Sequence, residues 1–145
     1  MADFTNTILN GIKRRQRDMG DGTFAEVVAT APPGAMAATS TPLAGSVADT
    51  AAHTFGPFKP QLVREIWATL VGTGATGKAQ LVRSTDGGVT MAGLTAGGDA
   101  WASWTFTAVT GAIVNEQVGT ETDAKATYYL TVTLTAGSLT YRIAQ

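Results

Sequence analysis

This sequence predicts an all-β protein: an antiparallel β-sandwich or jelly-roll-like domain preceded by an extended N-terminal arm. Three observations predict it. All five prolines (Pro32, Pro33, Pro42, Pro57, Pro60) precede residue 61, so the stretch from Gln61 to Gln145 is free to be sheet throughout. The last eighteen residues, YYLTVTLTAGSLTYRIAQ, alternate apolar and polar with period two. Charged residues make up only 14 % of the chain, well below the roughly 25 % of an average soluble protein, and Thr, Ala and Gly fill the gap.

The sequence divides into an arm, residues 1–60, and a sandwich domain, residues 61–145. Within the arm, Phe4, Ile8 and Ile12 recur at helical spacing with Asp3 as a candidate N-cap, and Gly20 and Gly22 would end a helix. TFAEVVAT (23–30) alternates as a short strand. APPGAMAATSTPLAGSVADTAAHT (31–54) has neither period and reads as a linker.

From residue 61 the pattern becomes that of strands. QLVREIWATLV (61–71) carries Val63, Trp67 and Val71 among small and polar residues. GTGATG is a glycine-rich loop of hairpin length leading into KAQLVRS (78–84). TDGG (85–88) is a turn, since Asp-Gly readily takes positive φ. AWASWTFTAV (100–109) and AIVNEQV (112–118) are two further strands, and GTETDAK is a polar loop. In the closing segment Tyr128, Leu130, Val132 and Leu134 share one face, AGS reverses the chain, and Leu139, Tyr141 and Ile143 return on one face.

Little in the chain carries chemistry, and the expectation is a protein that is not an enzyme and uses no cofactor or metal. With no cysteine there is no disulfide and no thiolate metal site. The lone histidine, His53, reads as a solvated residue of the arm without triad partners. Glu121 and Asp123 share a loop but fall short of the roughly six oxygens calcium takes. GTGATGK (72–78) departs from the phosphate-loop spacing and precedes a strand where a helix is required. The net charge of −1 supplies no field for nucleic acid or an anionic membrane. No apolar run approaches the ~20 residues that cross a bilayer. The N-terminal charges follow the apolar residues, the reverse of a secretory signal, so synthesis in the cytoplasm is expected.

Two features suggest contacts with partners. Lys13, Arg14, Arg15 and Arg17 form the one charge cluster. Asp18 and Asp21 dilute it, which favours an acidic protein surface over phosphates. Trp101 and Trp104 are three apart, so on a strand they face opposite sides. One belongs in the core. The other is a candidate subunit-interface anchor or a platform for a sugar ring, the second of which would suit a carbohydrate-binding module.

LVRSTDGGVTM (81–91) and YYLTVTLTAGSLTYRIAQ (128–145) resemble a small β-sandwich found among tailed-bacteriophage virion proteins, and RDMGDGTFAEVVAT (17–30) is similar to an N-terminal segment of phage head and tail proteins. The resemblance implies a structural role on the virion: a capsid decoration (cement) protein that binds the major capsid protein and forms a homotrimer on the capsid surface. A head fibre or tail component is the alternative it implies.

Overall fold

The computed structural model describes the backbone of residues 3–8, 12–18 and 24–27 and the whole of residues 40–145. The chain forms two compact units, Met1–Ala37 and Ala38–Gln145. Among the described residues all elements are strands and all pairings are antiparallel.

In the first unit β1 (Asp3–Ile8), β2 (Ile12–Asp18) and β3 (Phe24–Val27) form a three-stranded sheet in that order. The helix suggested by Phe4, Ile8 and Ile12 is replaced by two paired strands, with Ile8 opposite Ile12 and Phe4 opposite Gln16. A spacing of four is even, so it satisfies strand alternation as well as a helical face. The strand expected within 23–30 is present as β3. Gly20 and Gly22 lie outside the described residues.

The second unit begins earlier than the residue 61 read from the sequence. Inside the expected linker, β4 (Leu43–Val47) pairs with the end of the last strand, and β5 (Ala52–Phe58) pairs with its beginning. Pro57 fits because β5 is an edge strand with a bulge there: Tyr128 and Leu130 of the partner lie opposite Phe58 and Phe55, so four residues of β5 stand against three.

Three long strands build the rest: β6 (Glu65–Ser84), β9 (Ser103–Thr120) and β10 (Thr127–Ala144). The short β7 (Ala92–Ala96) and β8 (Asp99–Trp101) form a hairpin attached to β6 at Val82 and Arg83. β6 pairs with β10 on one side and β9 on the other along nearly its whole length.

The expected hairpins at GTGATG and AGS do not form. A hairpin would pair its two arms with each other. Here both arms of β6 pair with β10, with Gly77 opposite Leu134 and, past a double register shift, Gly72 opposite Leu139. β9, read as two strands, runs through the same level with shifts at its middle. Each expected loop is a bend in a continuing strand.

The bends fold the sheet over. Straight, twenty residues would span about 65 Å. Yet both ends of β6 meet at Glu121: the Val63 amide donates to its backbone carbonyl at 2.8 Å, and the Arg83 guanidinium reaches its carboxylate at 2.7 Å. The result is a sandwich-like unit whose two layers are halves of the same strands. The extra residues at the bends switch which residues face inward. In β6 the buried set is Ile66, Ala68 and Leu70 before the bend and Ala75, Ala79 and Leu81 after it. In β10 it passes from Leu130, Val132 and Leu134 to Leu139, Tyr141 and Ile143, the faces expected from sequence. These residues form one core cluster.

The bends need close backbone approach. Gly137 has φ of 75°, and a Cβ there would run into the backbone of Gly74. Amides freed from the ladder find hydroxyls instead: Gly74 N–H donates to Thr110 Oγ1 at 2.9 Å and Ala108 N–H to Thr76 Oγ1 at 2.8 Å.

Candidate interaction surfaces

Of the basic residues singled out in the sequence, Lys13, Arg14, Arg15 and Arg17 all lie on β2, the central strand of the first unit. Lys13 stands opposite Thr7, Arg14 opposite Asn6, Arg15 opposite Thr5 and Arg17 opposite Asp3. A strand spaces successive residues about 3.3 Å apart, so the cluster is a linear one rather than the end of a helix. The two tryptophans belong to the second unit.

Trp101 and Trp104 do face differently, although the chain breaks between them at Ala102, whose φ is 51°. Trp101 ends β8 and is 43 % exposed, with its indole N–H donating to the Val118 carbonyl at 2.9 Å. Trp104, on β9, packs against the core and donates to Glu116 Oε1 at 2.9 Å. That bond joins the two halves of β9 and closes one side of the sandwich. On the opposite side Phe55 stacks on Tyr141 with ring centroids 4.6 Å apart.

A third tryptophan, outside the AWASW motif, is exposed as well. Trp67 lies on the outer face of β6, 41 % exposed, with Val71 equally exposed four residues on. Its register partner on β9 is Gln117, adjacent to the Val118 that receives the Trp101 indole. Two exposed tryptophans therefore border β9 at residues 117–118. The sequence signal was available: Trp67 is out of phase with Ile66, Ala68 and Leu70, which form the core.

The densest polar cluster ties the ends of the strands together. The Glu121 side chain is 5 % exposed. Its carboxylate accepts from Arg83 Nε at 2.7 Å and Nη2 at 3.1 Å, from the Tyr128 hydroxyl at 2.8 Å, and from the amides of Thr122 and Asp123 at 2.9 and 2.8 Å. The Arg83 guanidinium, supported by those amides and the Tyr128 hydroxyl, holds the carboxyl down to about 2 against the effect of burial. Burial, and then the bond to Glu121, pushes the Tyr128 hydroxyl up to about 12. Every lone pair of the carboxylate is occupied by the fold itself, so Glu121 works as a structural clamp.

His53 differs from the solvated residue expected. It is half-buried on β5, stacked on Phe55 at 5.4 Å, and its Nε2 lies 2.6 Å from Asp49 Oδ1. No hydroxyl bonds to it among the described residues. Nor, among those residues, do three His, Asp or Glu side chains converge as a metal site would need. No helix of the described residues is long and apolar enough to cross a membrane. Asp86 forms the turn expected of TDGG: it accepts from the Thr90 amide at 2.9 Å and from Ser84 Oγ at 2.7 Å, and Ser84 Oγ accepts in turn from Gly88 N–H at 2.9 Å.

No family model, no curated protein and no solved structure matches this chain.

Proposed function

We propose that this chain is a structural protein of a tailed-phage virion, a capsid decoration (cement) protein that binds the major capsid protein and associates with its own copies as a homotrimer. The observation that carries the reading is the pair of exposed tryptophans, Trp67 and Trp101, bordering β9 at Gln117 and Val118. Tryptophan has large area and few rotamers, and is the residue most enriched at the energetic centre of protein interfaces. The sequence resemblance at 81–91 and 128–145 supplies the class of partner. The basic strand β2 suits an acidic patch on a coat subunit, where charge steers encounter and register. Attachment through several copies at once makes weak single contacts add up to firm binding.

The first test counts copies per particle by quantitative mass spectrometry of purified virions. A ratio near one chain per coat subunit supports a cement lattice. A few per hundred coat subunits would place it instead in a head fibre or tail, and absence from particles would end the virion reading. The second test is solution mass by light scattering. The intact chain is expected at three times the monomer mass, and a Trp67→Ala/Trp101→Ala double variant at the monomer mass with unchanged circular dichroism. A monomeric intact chain would refute the role assigned to these tryptophans.

A further inference from the structure

A second surface, unrelated to the tryptophans, has its own chemistry. On the outer face of the layer formed by the second half of β6 and the first halves of β9 and β10, a groove of about 570 Å³ runs across the three strands. Lys78 is the one charged residue among those lining it. The register places Thr133 of β10 on one side of Lys78 and Thr105 of β9 on the other, with Gln80 two residues along.

The polar groups divide into two kinds. The Thr131 hydroxyl is committed: it donates to the Gln80 carbonyl at 3.1 Å and keeps only acceptor capacity toward the groove. Lys78, Thr105, Thr107 and Thr133 are exposed and make no side-chain bond to any described residue. One ammonium with three donors is thus ringed by hydroxyls that can both donate and accept, beside threonine methyls that give the face an apolar component. The lining has no carboxylate to repel an anion and no exposed aromatic ring on which a base would stack.

We infer that this groove binds an acidic polysaccharide, with Lys78 pairing a sugar carboxylate and the threonine hydroxyls of β9 and β10 bonding the ring hydroxyls on either side. The chemistry selects the ligand. A sugar acid offers one charge among many hydroxyls, which matches one cation among many hydroxyls. A nucleic acid presents bases as well as charge, and would call for an exposed aromatic platform that this lining lacks. The inference stands independently of the virion reading, because the groove lies on a different layer from Trp67.

Affinity electrophoresis of the whole chain through gels containing polygalacturonate or dextran tests it. Retardation by polygalacturonate and not by dextran is expected. Lys78→Gln should weaken the apparent affinity about tenfold, the size of one charge-assisted hydrogen bond. Thr133→Val, which keeps the side-chain shape, should weaken it to a lesser degree with unchanged circular dichroism. Failure of polygalacturonate to retard the chain overturns the inference, as does equal retardation by dextran. Retardation that survives Lys78→Gln overturns it too, since the polyanion would then be held elsewhere on the molecule.

Discussion

The two ends of the sandwich-like unit solve one problem by opposite means. At one end three strands bend over together, and the solution is backbone geometry: positive φ at Gly74, Ala108, Gly111 and Gly137, with threonine hydroxyls taking the displaced amides. At the other end the strands stop, and the solution is charge: Arg83 and Tyr128 gathered on the carboxylate of Glu121. Where strands continue, the neighbouring chains already hold them and only space is lacking, so small residues suffice. Where they end, the ladder supplies little beyond the Val63 amide on the Glu121 carbonyl, and side chains do most of the fastening. The first end should therefore fail through added bulk and ignore pH, and the second should do the reverse.

The largest effect is expected at the bends. Gly137→Val adds a β-branched side chain at positive φ against the Gly74 backbone, and should destabilise by about 4 kcal/mol, combining backbone strain with overpacking. Urea unfolding measures it. A loss below about 1 kcal/mol would mean the bend relaxes freely, and the contrast between the ends would collapse. The same variant should lose a constant amount at all pH values.

Next comes the clamp. Arg83→Met leaves the carboxylate of Glu121 buried without its cation and should cost about 3 kcal/mol at pH 7. Its pH dependence has a definite sign. The Glu121 carboxyl sits at about 2 instead of its ordinary 4.5, so its contribution is complete above pH 4.5 and disappears as pH falls toward 2. The intact chain should lose stability across that window, and the Arg83→Met variant should show a flatter profile that meets it near pH 2. Parallel profiles would show that the pair is not the source of the acid sensitivity. At the alkaline side, Tyr128 contributes below pH 10 and its contribution is lost as pH rises toward 12.

The smallest effect is expected in the loop beside the clamp. Asp86 is exposed, and the amide of Thr90, followed by the Ser84 hydroxyl, holds its carboxyl down to about 2. Asp86→Ala should free the Thr90 amide to exchange with solvent while leaving the urea midpoint unchanged. A shifted midpoint would mean that the loop belongs to the clamp and not merely next to it.

The sequence was legible at short range. Period two locates the long strands of residues 61–145 but not the short β7 (Ala92–Ala96), and the inward faces of β10 can be read directly from Leu130, Val132, Leu134 and then Leu139, Tyr141, Ile143. What it does not reveal is whether a glycine-rich interruption turns the chain back or bends it onward. Both leave the same alternation on either side. The difference lies in which distant strand each arm pairs with, as Gly72 and Gly77 do with Leu139 and Leu134. The clamp was hidden for the same reason: Arg83 and Glu121 are 38 residues apart. Trp101 and Trp104 were found because their contrast depends on spacing alone. The phase of Trp67 against Ile66 and Leu70 marks it as outward in the same way.

One property of β10 bears on how the molecule is made. It pairs with β4, β5 and β6, and among the described residues it is the sole ladder partner of both β4 and β5. A ribosome therefore delivers the middle of the sheet after its margins. β4 and β5 emerge first and must wait, β5 through some seventy residues of synthesis and β4 through more than ninety, several seconds at ordinary elongation rates. With no charge on either strand, protection against aggregation falls to their many small side chains and to Pro57, which blunts β5 while it waits. The two layers then close on one strand, at one moment.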